Sequence, residues 1–338
     1  MNHLRCIFLS GLIFLSPQLS RADEITCLFT GGADTTNLIT FQPVEGGFES
    51  HTGFITLSSE LPGIIPRLTL SGDFTGNGMS EMALFMKVLV EPNMNPDYTT
   101  SDIMVFKPDD CLMRPAGTWF SVIDTELDFN YAGHAAAGDF NLDGRTDIAV
   151  FYNNPGDDTQ IIYVHESLGN GFSDPVIYFI AERNDFNFST LKHVVVGDFN
   201  RNGLPDIAVF YDYFGEDPGT PQRIFVFESD GTAFSRLPPT YSTTRQTVDF
   251  DCVKNASAAD YDLDGFTDIA VFYSDTALTE HRLLLFRGGE TGFSLPETCY
   301  TGDNETVDPA GMRTMAVSYT HLRAHETVLD LVCRLLLE

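Results

Sequence analysis

One short segment occurs four times in this chain, and that repetition limits the fold more than any other feature. The copies are Gly72-Asp-Phe-Thr-Gly-Asn-Gly78, Gly138-Asp-Phe-Asn-Leu-Asp-Gly144, Gly197-Asp-Phe-Asn-Arg-Asn-Gly203 and Ala259-Asp-Tyr-Asp-Leu-Asp-Gly265. In the last three, Asp-Ile-Ala-Val-Phe-Tyr follows two residues on, at Asp147–Tyr152, Asp206–Tyr211 and Asp268–Tyr273; the first copy has drifted to Glu81-Met-Ala-Leu-Phe85. The leading aspartates Asp73, Asp139, Asp198 and Asp260 stand 66, 59 and 62 residues apart. A period of about 60 residues marks one supersecondary unit used again and again, as in arrays and propellers.

Each unit reads as short β-strands. An alternating stretch such as His193–Val196 precedes the motif. The run Ile-Ala-Val-Phe-Tyr after it is apolar on both faces, which predicts burial on both. Further strands are predicted at Ile103–Phe106, Ile161–Val164, Arg223–Phe227 and Arg282–Phe286. Glycine-bearing turns at 169–172, 231–234 and 288–293 come next, with residues that tolerate positive φ. Ala149, Ala208 and Ala270 sit mid-strand, where a small side chain lets neighbouring sheets approach; we place them on the inner strand of each unit. The expected fold is all-β, a propeller of four-stranded blades packed radially.

The motif itself has the chemistry of a cation cradle. Its pattern Asp-x-[Asp/Asn]-x-[Asp/Asn]-Gly-x-x-Asp puts oxygen-bearing side chains at the first, third, fifth and ninth places of a tight loop, with a backbone carbonyl on offer at the seventh. A hard cation such as Ca²⁺ takes six to eight oxygens. The candidate ligands are therefore Asp139, Asn141, Asp143, Arg145 and Asp147; Asp198, Asn200, Asn202, Leu204 and Asp206; and Asp260, Asp262, Asp264, Phe266 and Asp268, where Arg145, Leu204 and Phe266 offer only their carbonyls. The first loop, with Asp73, Thr75, Asn77 and Glu81, departs from the pattern and is the weak member. Carboxylate count predicts affinity falling from the 260 loop to the 139 loop to the 198 loop. A helical EF-hand is excluded, because its twelfth-place Glu is replaced by Val150, Val209 and Val271. Asp, Asn and Gly also favour plain β-turns, but three loops in register point to metal.

These residues resemble the FG-GAP/VCBS repeat of integrin α-subunit heads and many exported proteins, over roughly residues 61–293. The resemblance implies a β-propeller, Ca²⁺ in the hairpin loops of one face, and ligand contacts through other loops. A ring of about seven blades is expected, of which this chain carries part. For function the resemblance is less specific, since such repeats occur in adhesins, in lectin-like proteins and beside hydrolase or lyase domains.

Composition narrows the partners. With 19 Lys and Arg against 48 Asp and Glu the net charge is −29, which disfavours nucleic acid and anionic membranes. Residues 1–22 read as a secretory signal peptide cut after Ala22, giving a secreted chain with no membrane insertion. Residues 317–338 resemble a translated sequencing adapter, outside the native protein. Cys27, Cys111, Cys252 and Cys299 permit two disulfides, with Cys27–Cys111 and Cys252–Cys299 favoured by short loop closure. The leading functional expectation is an extracellular binding or adhesion module for a protein or glycan. The alternatives are the propeller part of a carbohydrate-active lyase or hydrolase and a structural spacer stiffened by calcium; His134 and His193 hold equivalent places, but Asn255 at that place in the next copy points to strand packing rather than catalysis.

Overall fold

The computed structural model describes residues 11–15, 25–31, 35–44, 47–55, 65–91, 98–109, 112–156, 158–213, 217–275 and 280–303. These form five antiparallel sheets in sequence order. Blade 1 holds β1 (Gly11–Leu15), β2 (Ile25–Gly31), β3 (Thr35–Val44) and β4 (Gly47–Ile55); blade 2 holds β5 (Ile65–Gly72), β6 (Glu81–Glu91), β7 (Tyr98–Asp109) and β8 (Leu112–Ile123). Blade 3 holds β9 (Ala132–Gly138), β10 (Asp147–Asn153), β11 (Thr159–His165) and β12 (Val176–Glu182). Blade 4 holds β13 (Leu191–Gly197), β14 (Asp206–Asp212), β15 (Pro221–Ser229), β16 (Phe234–Arg236) and β17 (Tyr241–Thr244). Blade 5 holds β18 (Val253–Ala259), β19 (Asp268–Asp275), β20 (Glu280–Phe286) and β21 (Glu297–Asp303). Each of blades 2 to 4 starts with a strand that touches the first strand of the next, β5 with β9, β9 with β13 and β13 with β18. The fold is a β-propeller.

The apolar repeat explains the packing. In β10, β14 and β19 the segment Ile-Ala-Val-Phe-Tyr is buried throughout, because a strand flanked by sheets on both sides alternates between two cores rather than between core and water. Ile148, Val150 and Tyr152 pack towards blade 2, whereas Ala149 and Phe151 pack towards blade 4. Ile207, Val209 and Tyr211 repeat the first role and Ala208 and Phe210 the second. The cores thus lie between blades. The alanines sit on the second strand of each blade, not the innermost one as expected, since the strand before the motif takes the axial place.

The connections between blades carry a second repeat. Asp128, Asn187 and Asp249 each cap a short 3-10 turn, accepting from the backbone amide two residues on. The following residue, Phe129, Phe188 or Phe250, is buried. Its N–H donates to the third strand of the blade just completed, to Ser101 Oγ at 2.9 Å, Gln160 Oε1 at 2.8 Å or Gln222 Oε1 at 2.9 Å. The cap's own N–H donates to the hydroxyl of Tyr152, Tyr211 or Tyr273 in the blade about to begin, at 3.3 Å each time. Each of these three linkers is thereby pinned to both neighbours.

The two cysteines of the expected Cys252–Cys299 pair lie at opposite edges of blade 5. Cys252 closes the turn ahead of the innermost strand of blade 5 and Cys299 lies in its outermost strand, with β19 and β20 between. Cys111 falls outside the described residues, as do 16–24, containing the expected cleavage site, and the whole 317–338 tail. The apolar run of the expected signal peptide is described in part, as β1 paired with β2.

Candidate metal centres

All four repeat loops join the first strand of a blade to its second, so they lie at one end of the propeller. The first-place aspartate organises each. Asp139 accepts from the amides of Asp143 at 3.0 Å and Gly144 at 2.9 Å. Asp198 does the same with Asn202 and Gly203, and Asp260 with Asp264 and Gly265. The chain is thereby folded back on its own carboxylate, and two residues enter the left-handed region: the fourth place, at φ 58° for Leu142, 63° for Arg201 and 62° for Leu263, and the glycine after the fifth. A non-glycine residue at positive φ is strained, and these loops hold three.

The ninth-place aspartates Asp147, Asp206 and Asp268 are fully buried. One oxygen of each accepts from the amide of the second loop residue, Phe140, Phe199 or Tyr261, at 3.0–3.1 Å. The other accepts from Ser167, Ser229 or Gly288 at the far end of the third strand, at 2.7–2.9 Å. A carboxylate oxygen has two lone pairs, so each keeps capacity for a cation. Burial pushes Asp147 up to about 7, and Asp206 and Asp268 up to about 6, with nearby acidic residues adding to the rise. Buried carboxylates crowded by other acidic groups are the donor set that a divalent cation satisfies.

The 260 loop comes nearest to an assembled cage: one oxygen from each of Asp260, Asp262 and Asp268 lies within 4.8 Å of the other two. Asp264 stays out of that group; its Oδ1 caps the Phe266 amide at 2.8 Å. Asp143 caps Arg145 in the same way and also pairs with its guanidinium. Asn202 likewise caps Leu204 at 2.7 Å, while Asn141 and Asn200 each accept from the fifth-place amide. Arg287 pairs with Asp262. The expected four-carboxylate set is thus three together and one turned aside.

The 73 loop differs as its sequence implies. Glu81, longer by one methylene, reaches into the loop and accepts from Thr75 Oγ1 at 2.8 Å and Thr75 N at 3.1 Å, so the loop closes on itself. Burial raises its pKa, against those hydrogen bonds.

His134 and His193 each meet a backbone carbonyl of the next blade. His193 Nε2 donates to the Val253 carbonyl at 2.9 Å, and His134 lies 3.5 Å from that of Lys192; both tie one innermost strand to the next. Burial lowers the pKa of both, that of His134 to about 4, so they stay neutral.

This loop, with its ninth-place carboxylate opening a doubly buried strand, is where the chain meets a known family. Residues 139–209 match the FG-GAP-like repeat. They cover blade 3 from its loop onward and the opening of blade 4, and the FG-GAP-like geometry recurs in the 260 loop, hydrogen bond for hydrogen bond. No curated protein matches the chain. Among solved structures, a GH43 β-1,3-galactosidase is similar over 86% of this chain and 93% of its own, at 10% identity and a TM-score of 0.48. Levansucrase of Bacillus subtilis is similar over 86% and 87%, at 10% identity and 0.43. A rhamnogalacturonan lyase of Bacillus licheniformis is similar over 86% and 69%, at 13% identity and 0.37.

Proposed function

We propose that this chain is a calcium-braced propeller module acting outside the cell, where it binds a protein or a glycan. One observation carries the metal part: three loops bury the ninth-place carboxylate and hold it by the amide of the second loop residue each time, and in the 260 loop it gathers with Asp260 and Asp262. Asp139, Asn141 and Asp147, then Asp198, Asn200 and Asp206, then Asp260, Asp262 and Asp268 are the side chains that would hold Ca²⁺. The ion would supply positive charge to loops in a chain of net charge −29 and tie the first strand of a blade to its second. Extracellular calcium suits sites of modest affinity built from few carboxylates.

Calorimetric titration of the demetallated chain tests this. Heat with up to three sites is expected, the tightest lost in Asp268→Asn and the weakest in Asp206→Asn. No heat, with melting unmoved by EGTA, overturns it. Binding without turnover is tested by incubating the loaded chain with polysaccharides; release of reducing ends or unsaturated products would instead favour the enzymatic reading.

A further inference from the structure

The crevices between successive blades are built to one plan, and one of them lacks a part. The outermost strand of blade 2 bulges at Trp119, between the pairs Phe120–Ile103 and Thr118–Met104. The Trp119 carbonyl accepts from Phe172 of blade 3 at 3.0 Å, and its ring lies 5.4 Å from that of Phe172, which meets Phe74 at 5.5 Å. Between blades 3 and 4, the bulge in β12 falls at Tyr178, whose ring lies 5.3 Å from Phe234, which meets Phe140 at 5.3 Å. Its hydroxyl donates to the Gly231 carbonyl at 3.2 Å. Each crevice is therefore closed by three rings, the outer one a buried plug from the bulge.

Between blades 4 and 5 the first two rings recur as Phe199 and Phe293, 5.5 Å apart. The equivalent carbonyl is that of Thr240, which accepts from Phe293 at 3.1 Å. Pro238 and Pro239 split the strand into β16 and β17 here, and the residue in the plug's place is a threonine. A cleft of about 570 Å³ opens where the ring would be. Phe199, Val226 and Leu237 make an apolar floor, while Glu228, Glu290 and Arg201 stand on its walls. Arg201 lies over the Phe266 ring, its guanidinium carbon 4.6 Å from the ring centre, and its five N–H groups are all donors.

We propose that this cleft is a binding site for one pyranose ring of a glycan, the sugar taking the place that Trp119 and Tyr178 fill in the neighbouring crevices. A pyranose offers a flat C–H face to the Phe199 ring of the apolar floor. Its hydroxyls donate to the Glu228 and Glu290 carboxylates and accept from Arg201 and Thr240. An aromatic side chain from a protein partner would fit the floor but would offer no hydrogen-bond partner to the Glu228 and Glu290 carboxylates or to Arg201. The inference rests on the binding-module reading and locates its site.

Saturation-transfer NMR on the calcium-loaded full chain tests it, with the methyl pyranosides of glucose, galactose and mannose as probes and N-acetyltryptophanamide as the aromatic alternative. At least one glycoside is expected to receive saturation. Thr240→Trp, which restores the plug, should weaken that binding by on the order of tenfold or more, with melting temperature and calcium heat kept. Arg201→Ala should weaken it as well. Transfer undiminished in Thr240→Trp, no transfer to any glycoside, or transfer only to N-acetyltryptophanamide would each overturn the assignment. Calcium heat is read separately, so failure here leaves the metal reading standing, and a sugar bound but indifferent to Thr240→Trp leaves the module reading standing with its site elsewhere.

Discussion

At the residue scale, the glycine that opens the repeat has a packing reason. A Cβ on Gly72 would lie 2.5 Å from the Thr146 methyl of blade 3, and one on Gly197 would lie 2.5 Å from that of Thr267 in blade 5. Overpacking of this kind costs about 1–3 kcal/mol. Gly197→Ala should therefore lower the unfolding midpoint in urea, and adding Thr267→Ser, which removes the offending methyl but keeps the hydroxyl bonded to the Asp198 carbonyl at 2.9 Å, should restore most of the loss. A midpoint unchanged by the second substitution would put the cost elsewhere. His165 gives a pH effect. It is fully buried with Nδ1 3.2 Å from the Ser173 carbonyl, and burial lowers its pKa to about 4. The unfolded imidazole titrates near pH 6.5, so between those values the unfolded state takes up a proton that the folded state refuses. Stability present above pH 6.5 should be lost as pH falls towards about 4. Urea midpoints measured across that range should slope less in His165→Asn than in the parent chain.

At the scale of elements, the linker turns contribute as much order as the strands. In Gln160→Leu the buried Phe188 amide loses its acceptor; an unsatisfied buried donor costs about 1–3 kcal/mol. Equilibrium unfolding should show that loss, whereas a change at exposed Thr232 should show little. Much of this level was legible in advance. The segment Asp-Ile-Ala-Val-Phe-Tyr announced a strand buried on two faces, and the Asp-x-Asn-x-Asp-Gly spacing announced loops with inward oxygens, because both depend only on local pattern. The 3-10 turns were missed, although Asp128-Phe129, Asn187-Phe188 and Asp249-Phe250 recur at the repeat period; a two-residue signal is hidden by the turn-rich sequence around it. The plug residues Trp119, Tyr178 and Thr240 share a place but no side chain, so only the bulges in β8 and β12 and the Thr240 carbonyl that accepts from Phe293 reveal their equivalence. Asp264 and Asp143 turned aside for a further reason: a fifth-place carboxylate sits two residues before an amide it can cap.

At the scale of the whole molecule, charge sets the terms. A net charge of −29 opposes compaction, and salt bridges such as Arg245 with Asp212, Asp249 and Asp251 relieve it only locally. Screening acts over about 8 Å at physiological ionic strength. Differential scanning calorimetry should accordingly show the EGTA-treated chain melting lower than the calcium-loaded one, with the gap narrowing as NaCl is raised. A gap that widens with salt would mean that the loops do not gather the repulsion calcium offsets.

The ties between sheets have a direction. Thr146 N donates back to the Asp73 carbonyl at 2.8 Å and Thr267 Oγ1 back to that of Asp198, while His193 donates forward to Val253. Each sheet thus hangs from its predecessor at the loop end and from its successor along the axis. Tension applied to the two chain ends would load these fasteners one after another, so the molecule would give way in discrete steps, like a row of buttons, and its extension would read out how many sheets remain closed.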